Sequence, residues 1–192
     1  MPKLENIKKV LLIGSGPVTI GQGTEYDYAL FEAANGLKGE GIEVIIVDSN
    51  PATLASEPEF CNQYYPIPLV AENIEKLIQV ERPDAICFGF GGQTAFNLLQ
   101  DLAQRNVFEK YQVKLDIQPE VAYKLKDRKL LQQISEELGM MMPKGAQIKT
   151  VTEGFELSRT LDFPLVIRSV ASFAGIGYSI AYNQEELEEC IE

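Results

Sequence analysis

The sequence contains no histidine. That absence removes Ser-His-Asp and Cys-His nucleophile systems and every imidazole metal site, so acid–base work falls to carboxylates, lysines or tyrosines. Cysteine is scarce: Cys61, Cys87 and Cys190 are the three, none in a CxxC spacing, and two sit in apolar settings. Structural thiols in a reducing cytoplasm are the expectation. Apolar runs are short. The stretch Val10 to Ile13 follows a positively charged start but ends in glycine too soon for a signal peptide, and no run reaches transmembrane length, so no membrane association is expected. Positive charge is also in deficit: 17 Lys and Arg against 28 Asp and Glu leave a net charge of -11. Such a surface repels a polyphosphate backbone, which argues against nucleic acid as a partner. Repeats and low-complexity tracts are absent.

What is present suits a compact folded chain. Of 192 residues, 45% are hydrophobic and 23% charged, enough for one complete domain and part of a second. Val10-Leu-Leu-Ile13 reads as a buried strand feeding the glycine-rich turn Gly14-Ser-Gly-Pro-Val-Thr-Ile-Gly21, with a helix after it that Gly39 and Gly41 stop. Val44-Ile-Ile-Val47 is a second buried strand ending at Asp48, and Asn50-Pro51 predicts a capped turn or short helix through Ala52 to Glu57. Tyr64 to Ile67 can form only a short edge strand, because Pro66 and Pro68 remove donors. A helix is expected between Ala71 and Glu81, then a buried strand from Asp84 to Phe88, then the turn Gly89-Phe-Gly-Gly92 and a helix from Thr94 to about Ala103.

Strands alternating with helices predict a parallel sheet covered on both faces, a Rossmann-like α/β unit. In such folds ligands sit beyond the carboxyl ends of the strands. Here that edge gathers the Gly14–Gly21 turn, the Asp48–Thr53 segment and the Gly89–Thr94 turn. Beyond Lys114 the texture changes, and the expected boundary separates residues 1–117 from 118–192. Pro119 to Leu138 reads as helical with a basic cluster of Lys124, Lys126, Arg128 and Lys129, Lys144 to Ile148 as a strand, and Val151 to Leu161 as a helix. Leu165 to Ile167 is a strand ending at Arg168, Ser179 to Tyr182 its hairpin partner, and Asn183 caps a last helix. The second unit looks incomplete.

The first turn departs from a dinucleotide fingerprint, since its third glycine comes five residues after the second instead of three. Asp48 suits a ribose hydroxyl or a cap on the Asn50-Pro51 turn. Gly91-Gly-Gln-Thr94 can form an anion-binding nest at a helix start, or simply a glycine turn with a Thr cap. The basic cluster reads most simply as a solvated helix face. Arg168, at a strand end beside a small-residue loop, is the better phosphate candidate, because a guanidinium fork pairs bidentately with phosphate oxygens.

Ile13-Gly-Ser-Gly-Pro17, Ile20-Gly-Gln22, Glu25-Tyr-Asp-Tyr28, Asp48-Ser-Asn-Pro-Ala-Thr53, Glu81-Arg-Pro-Asp84 and Gly91-Gly-Gln-Thr94 resemble, in order and spacing, the amino-terminal part of the carbamoyl-phosphate synthetase large subunit. The resemblance covers essentially the whole chain. It implies a pre-ATP-grasp domain followed by the opening of an ATP-grasp domain, in an ATP-dependent carbon–nitrogen ligase of pyrimidine and arginine biosynthesis. The substrates implied are ATP and bicarbonate, the partners the remainder of the large subunit and a glutaminase small subunit, and magnesium ligands are expected outside this chain. Carried over by position, Arg128 and Arg168 match arginines that hold ATP phosphates. Gly175 matches a backbone contact of the phosphate loop, and Gly23 a small residue lining an ammonia passage. The loop departs from the family pattern: Ala174, Ile176, Tyr178 and Ser179 stand where glycine is usual, and side chains there restrict the backbone. The expected chemistry is therefore incomplete in this chain alone, with a non-catalytic binding module as the alternative.

Overall fold

The structure is a computed structural model that describes residues 5–17, 24–168 and 177–191, with only the backbone of Lys126. By contacts the chain divides into two units, Met1–Tyr123 and Lys124–Glu192.

The first unit is a five-stranded parallel sheet. Its strands are β1 (Lys9–Ile13), β2 (Glu43–Val47), β3 (Gln63–Tyr65), β4 (Ala85–Cys87) and β5 (Lys114–Leu115), in the order β3-β2-β1-β4-β5. Between them run α1 (Thr24–Gly39), α2 (Ala71–Glu81), α3 (Gly92–Gln104) and α4 (Val107–Tyr111). Consecutive side chains of a strand point to opposite faces, which explains why the central runs are apolar throughout. Leu11, Ile13, Ile45, Val47, Ile86 and Phe88 form one core with α2, α3 and α4. Val10, Leu12, Val44 and Ile46 form another with Leu30 and Ala34 of α1. Each fully buried Leu or Ile contributes about 1.5–3 kcal/mol.

The chain order runs outward in one direction from β1 through β2 to β3, then in the other through β4 to β5. The crevice for a ligand in this topology lies where the order reverses, between the carboxyl ends of β1 and β4. At the opposite edge, Asp84 Oδ2 accepts from the backbone N–H groups of Lys8 (2.8 Å) and Lys9 (2.9 Å), tying the start of β4 to that of β1.

In the second unit β6 (Leu165–Arg168) pairs antiparallel with β7 (Tyr178–Ala181), and α7 (Val151–Ser158) and α8 (Gln184–Ile191) pack with the hairpin. Asn183 caps α8 as expected, its Oδ1 accepting from Glu186 N at 2.9 Å. Gly154 lets α7 approach α8, since a Cβ there would stand 2.5 Å from Ile191 Cδ1.

Several expected elements differ. The helix expected from Pro119 to Leu138 is two, α5 (Pro119–Lys126) and α6 (Arg128–Glu137), because Asp127 takes extended dihedrals and caps the second through Lys129 N and Leu130 N, both at 3.0 Å. No strand forms over 144–148; Pro143 and Gly145 flank or interrupt an exposed run to which nothing pairs among the described residues. The turn or short helix expected after Asn50-Pro51 is present as a 3₁₀ turn at Leu54–Ser56, but its cap is Thr53, whereas Asn50 closes its own turn by accepting from Ala52 N at 3.1 Å. Helix α3 begins at Gly92 instead of Thr94, so Thr94 is inside it and caps nothing. The short elements α4 and β5 were not expected.

Candidate functional site

Two places qualify, one in each unit. In the first unit the turns after β1, β2 and β4 meet at the carboxyl edge. Gly14 N donates to Val47 O at 2.9 Å. A Cβ on Gly91 would stand 2.4 Å from Gly14 O, 2.5 Å from Ala95 Cβ and 2.8 Å from Ile13 O, so the β4–α3 turn lies directly on the β1 turn and only glycine fits. Gly92, at φ +56, lies under the ring of Tyr26.

Four amides of these turns are occupied by the protein's own carboxylates. Asp48, 1% exposed, accepts from Gly16 N at 3.0 Å and Asn50 N at 2.9 Å through Oδ1. Its Oδ2 lies against Gly14, where a Cβ would come within 2.0 Å of it. Asp116 accepts from Phe88 N at 3.0 Å and Gly89 N at 2.9 Å. The glycine turn after β1 therefore spends the Gly16 amide on Asp48 instead of offering it to a pyrophosphate, and Asp48 acts as the turn cap rather than a ribose ligand. The Gly91-Gly92 turn binds Tyr26 and Gly14 closely rather than presenting an open nest.

Burial dominates the electrostatics here. It pushes the Asp48 carboxyl up to about 6, against the backbone donors that favour its charge, with the nearby Asp27 adding repulsion. Asp27 Oδ1 is buried without a hydrogen-bond partner among the described residues. The Tyr64 hydroxyl donates to Asn50 O at 2.5 Å, with Asp48 O at 3.2 Å, and its pKa is pushed up to about 12, first by burial and then by Asp48. Gly23 lies outside the described residues.

In the second unit, cross-strand pairing sets the faces. Val166 opposes Ile180 and Arg168 opposes Tyr178, and residues two apart share a face. These four side chains stand on one side of the hairpin, whereas Leu165, Ile167 and Ala181 stand on the other, where Ala181 is buried and α8 packs. The first face is uncovered among the described residues, with Val166 63%, Tyr178 52% and Ile180 41% exposed. Arg168 is exposed with no ion pair among the described residues. Arg128 is the first residue of α6, also exposed; the amides beside it are taken by Asp127, which leaves its guanidinium as the donor. Lys124 and Lys129 are solvated. Gly175 lies outside the described residues.

Sequence reasoning missed Asp116, and took Tyr26 only as part of the Glu25-Tyr-Asp-Tyr28 motif without its place over Gly92. The cue for Asp116 was its place just after an edge strand at the same carboxyl edge; the cue for Tyr26 was the second glycine of Gly91-Gly92, whose open side needs a filler.

Residues 6–119 match the carbamoyl phosphate synthase preATP-grasp domain family, and residues 127–192 match the carbamoyl-phosphate synthase L chain, ATP binding domain. The chain belongs to the carbamoyl-phosphate synthase large-chain family. It is 43% identical over 190 residues to the "Carbamoyl phosphate synthase large chain, N-terminal section" of Aquifex aeolicus, covering 98% of this chain and 34% of that protein. With the carbamoyl phosphate synthase large chain of Methanosarcina acetivorans it shares 44% identity over 193 residues, covering all of this chain and 18% of that one. The chain thus spans about a third or less of these relatives.

Among solved structures, the biotin carboxylase domain of Hydrogenobacter thermophilus 2-oxoglutarate carboxylase, in complex with MgADP, ADP and bicarbonate, superposes with a TM-score of 0.69 at 20% identity, over 97% of this chain and 40% of that one. N5-Carboxyaminoimidazole synthetase of Staphylococcus aureus complexed with ADP gives 0.69 at 16% identity, over 98% of this chain and 45% of that one. These likenesses establish the fold.

Proposed function

We propose that this chain is the amino-terminal segment of a carbamoyl-phosphate synthase large chain, contributing a pre-ATP-grasp domain (1–117) and the opening of the first ATP-grasp domain (118–192) to a cytoplasmic, ATP-dependent ligase. The observation that carries the proposal is identity of 43–44% to synthase large chains over essentially the whole sequence. In the reaction, an oxygen of bicarbonate attacks the terminal phosphorus of ATP and ADP leaves. Ammonia from a glutaminase subunit then attacks the carbon of the resulting carboxyphosphate, expelling phosphate and giving carbamate for a second phosphorylation in the other half of the enzyme.

Phosphoryl transfer of this kind depends on positioning and charge neutralisation. Arg168 fits, as a fork with no ion pair among the described residues on a face that no described element covers, beside two apolar side chains, where a phosphate and the adenosine end of a nucleotide can be served together. Arg128 supplies a second cation from the start of α6. Gly175 contributes a backbone contact by family position, and Gly23 a small wall of the ammonia passage. Among the described residues no three Cys, Asp or Glu side chains cluster; magnesium, when bound, would help neutralise the phosphates, with its ligands expected from the remaining domain. No described helix is long and apolar enough to cross a membrane.

Replacing Arg168 or Arg128 by alanine in the full-length large chain is expected to raise the barrier of bicarbonate-dependent ATP hydrolysis by about 2–4 kcal/mol. Unchanged steady-state hydrolysis in both variants rejects the assignment of these two arginines. Calorimetric MgATP titration of the full-length chain separates the two readings, because with a non-catalytic module only the second half's nucleotide binding is seen.

A further inference from the structure

The uncovered face of the β6–β7 hairpin carries more than an arginine. Tyr178 stands directly opposite Arg168, and opposed residues hold their Cβ atoms about 4.5–5.5 Å apart on one face. Both side chains are exposed, and neither has a hydrogen bond, ion pair or ring contact among the described residues. The next pair along, Val166 and Ile180, is apolar on the same face. Two donors of different shape therefore adjoin two aliphatic side chains on a surface that no other described element covers. A guanidinium fork engages two oxygens of a phosphate and leaves a third open. A phenol one strand away is long enough to reach that oxygen and has a single O–H to donate.

We infer that Tyr178 is a second phosphate-binding residue. Its hydroxyl donates to a non-bridging oxygen of the phosphate that Arg168 holds, while Val166 and Ile180 form an apolar floor toward the adenosine end of the nucleotide. The inference rests on the assignment of Arg168 to a nucleotide phosphate. It competes with a simpler role in which Tyr178 is an aromatic cross-strand neighbour that only steadies the hairpin.

The two roles separate in Tyr178→Phe, which keeps the ring and removes the donor. In the full-length large chain, calorimetry is expected to show MgATP binding about tenfold more weakly at this half's site, with the second half's site unchanged, in line with loss of one hydrogen bond to a charged group. Tyr178→Gln keeps a donor without the ring and is expected to retain more affinity than the Phe variant. Equal weakening in both, or binding within twofold of the unsubstituted protein in Tyr178→Phe, overturns the hydrogen bond. Arg168→Ala is measured alongside. If it weakens MgATP while Tyr178→Phe does not, the tyrosine assignment alone falls; if neither substitution has an effect, the phosphate reading of the hairpin face falls with it.

Discussion

Asp48 shows how a motif that looks like a ligand site can be structural. In the unfolded chain its carboxyl titrates near 3.8, and in the fold at about 6. The fold therefore binds more protons than the unfolded chain between those values. The penalty of burying this charge, about 3 kcal/mol, is fully present above about pH 6 and fades as pH falls toward 4. Glu72, Glu75 and Asp84 behave oppositely, held low by Glu72's own backbone amide and Arg105, by Lys110, and by the Lys8 and Lys9 amides respectively; the stability they give is lost on acidification. Asp48→Asn removes one titration and leaves the others. Its unfolding free energy relative to the unsubstituted chain is expected to grow by up to about 3 kcal/mol from pH 4 to pH 7.5 in urea titrations; parallel curves would refute the role. At the same edge, Gly91→Ala forces a Cβ to within 2.4 Å of a backbone oxygen that cannot swing away. It is expected to lower stability by at least about 2 kcal/mol, read from the urea midpoint. The glycines of these turns were legible in the sequence as turn formers, but not as packing surfaces, because the atoms they avoid come from segments distant along the chain.

Among the elements, what the sequence made plain depended on length and burial. Val10–Ile13 and Val44–Val47 are buried on both faces and read correctly as central strands. Helix α2 read correctly because Ile74, Leu77 and Ile78 recur at helical spacing and are buried together. The two-residue β5 and the single-turn α4 carry no periodicity to detect, and are fixed by tertiary hydrogen bonds such as Lys114 N to Asp84 O at 3.0 Å. The break between α5 and α6 was missed because Lys126-Asp127-Arg128 is compatible with a continuous helix, and capping strength decides only when the two ends can part. Asp127→Ala removes acceptors for two amides and is expected to weaken α6 by about 1 kcal/mol. Faster amide exchange confined to Arg128–Leu131, with the first unit unaffected, is the observation that checks it.

For the molecule as a whole, the two units differ sharply in how much they bury. The first holds two cores, with ten or more side chains at zero exposure. In the second the buried hydrophobic residues described are Ala181 and Leu187, whereas Leu138, Met140, Met141 and Met142 lie exposed in sequence, Met141 completely at 101%. Local stability follows buried apolar contact, so the second unit should open at far lower free energy than the first. The irregular, mostly exposed run 140–148, without paired strand hydrogen bonds among the described residues, offers backbone that a protease can bind directly. Limited proteolysis with a broad-specificity enzyme such as thermolysin is expected to cut first within 138–148 and to leave a resistant fragment ending near residue 123–138. In the full-length large chain, the remaining ATP-grasp residues are expected to cover the Val166–Ile180 face and slow that cleavage at least tenfold. Equal rates in the two contexts would mean that the hairpin face gains no cover from the rest of the large chain, and would remove the reason for placing a nucleotide between them.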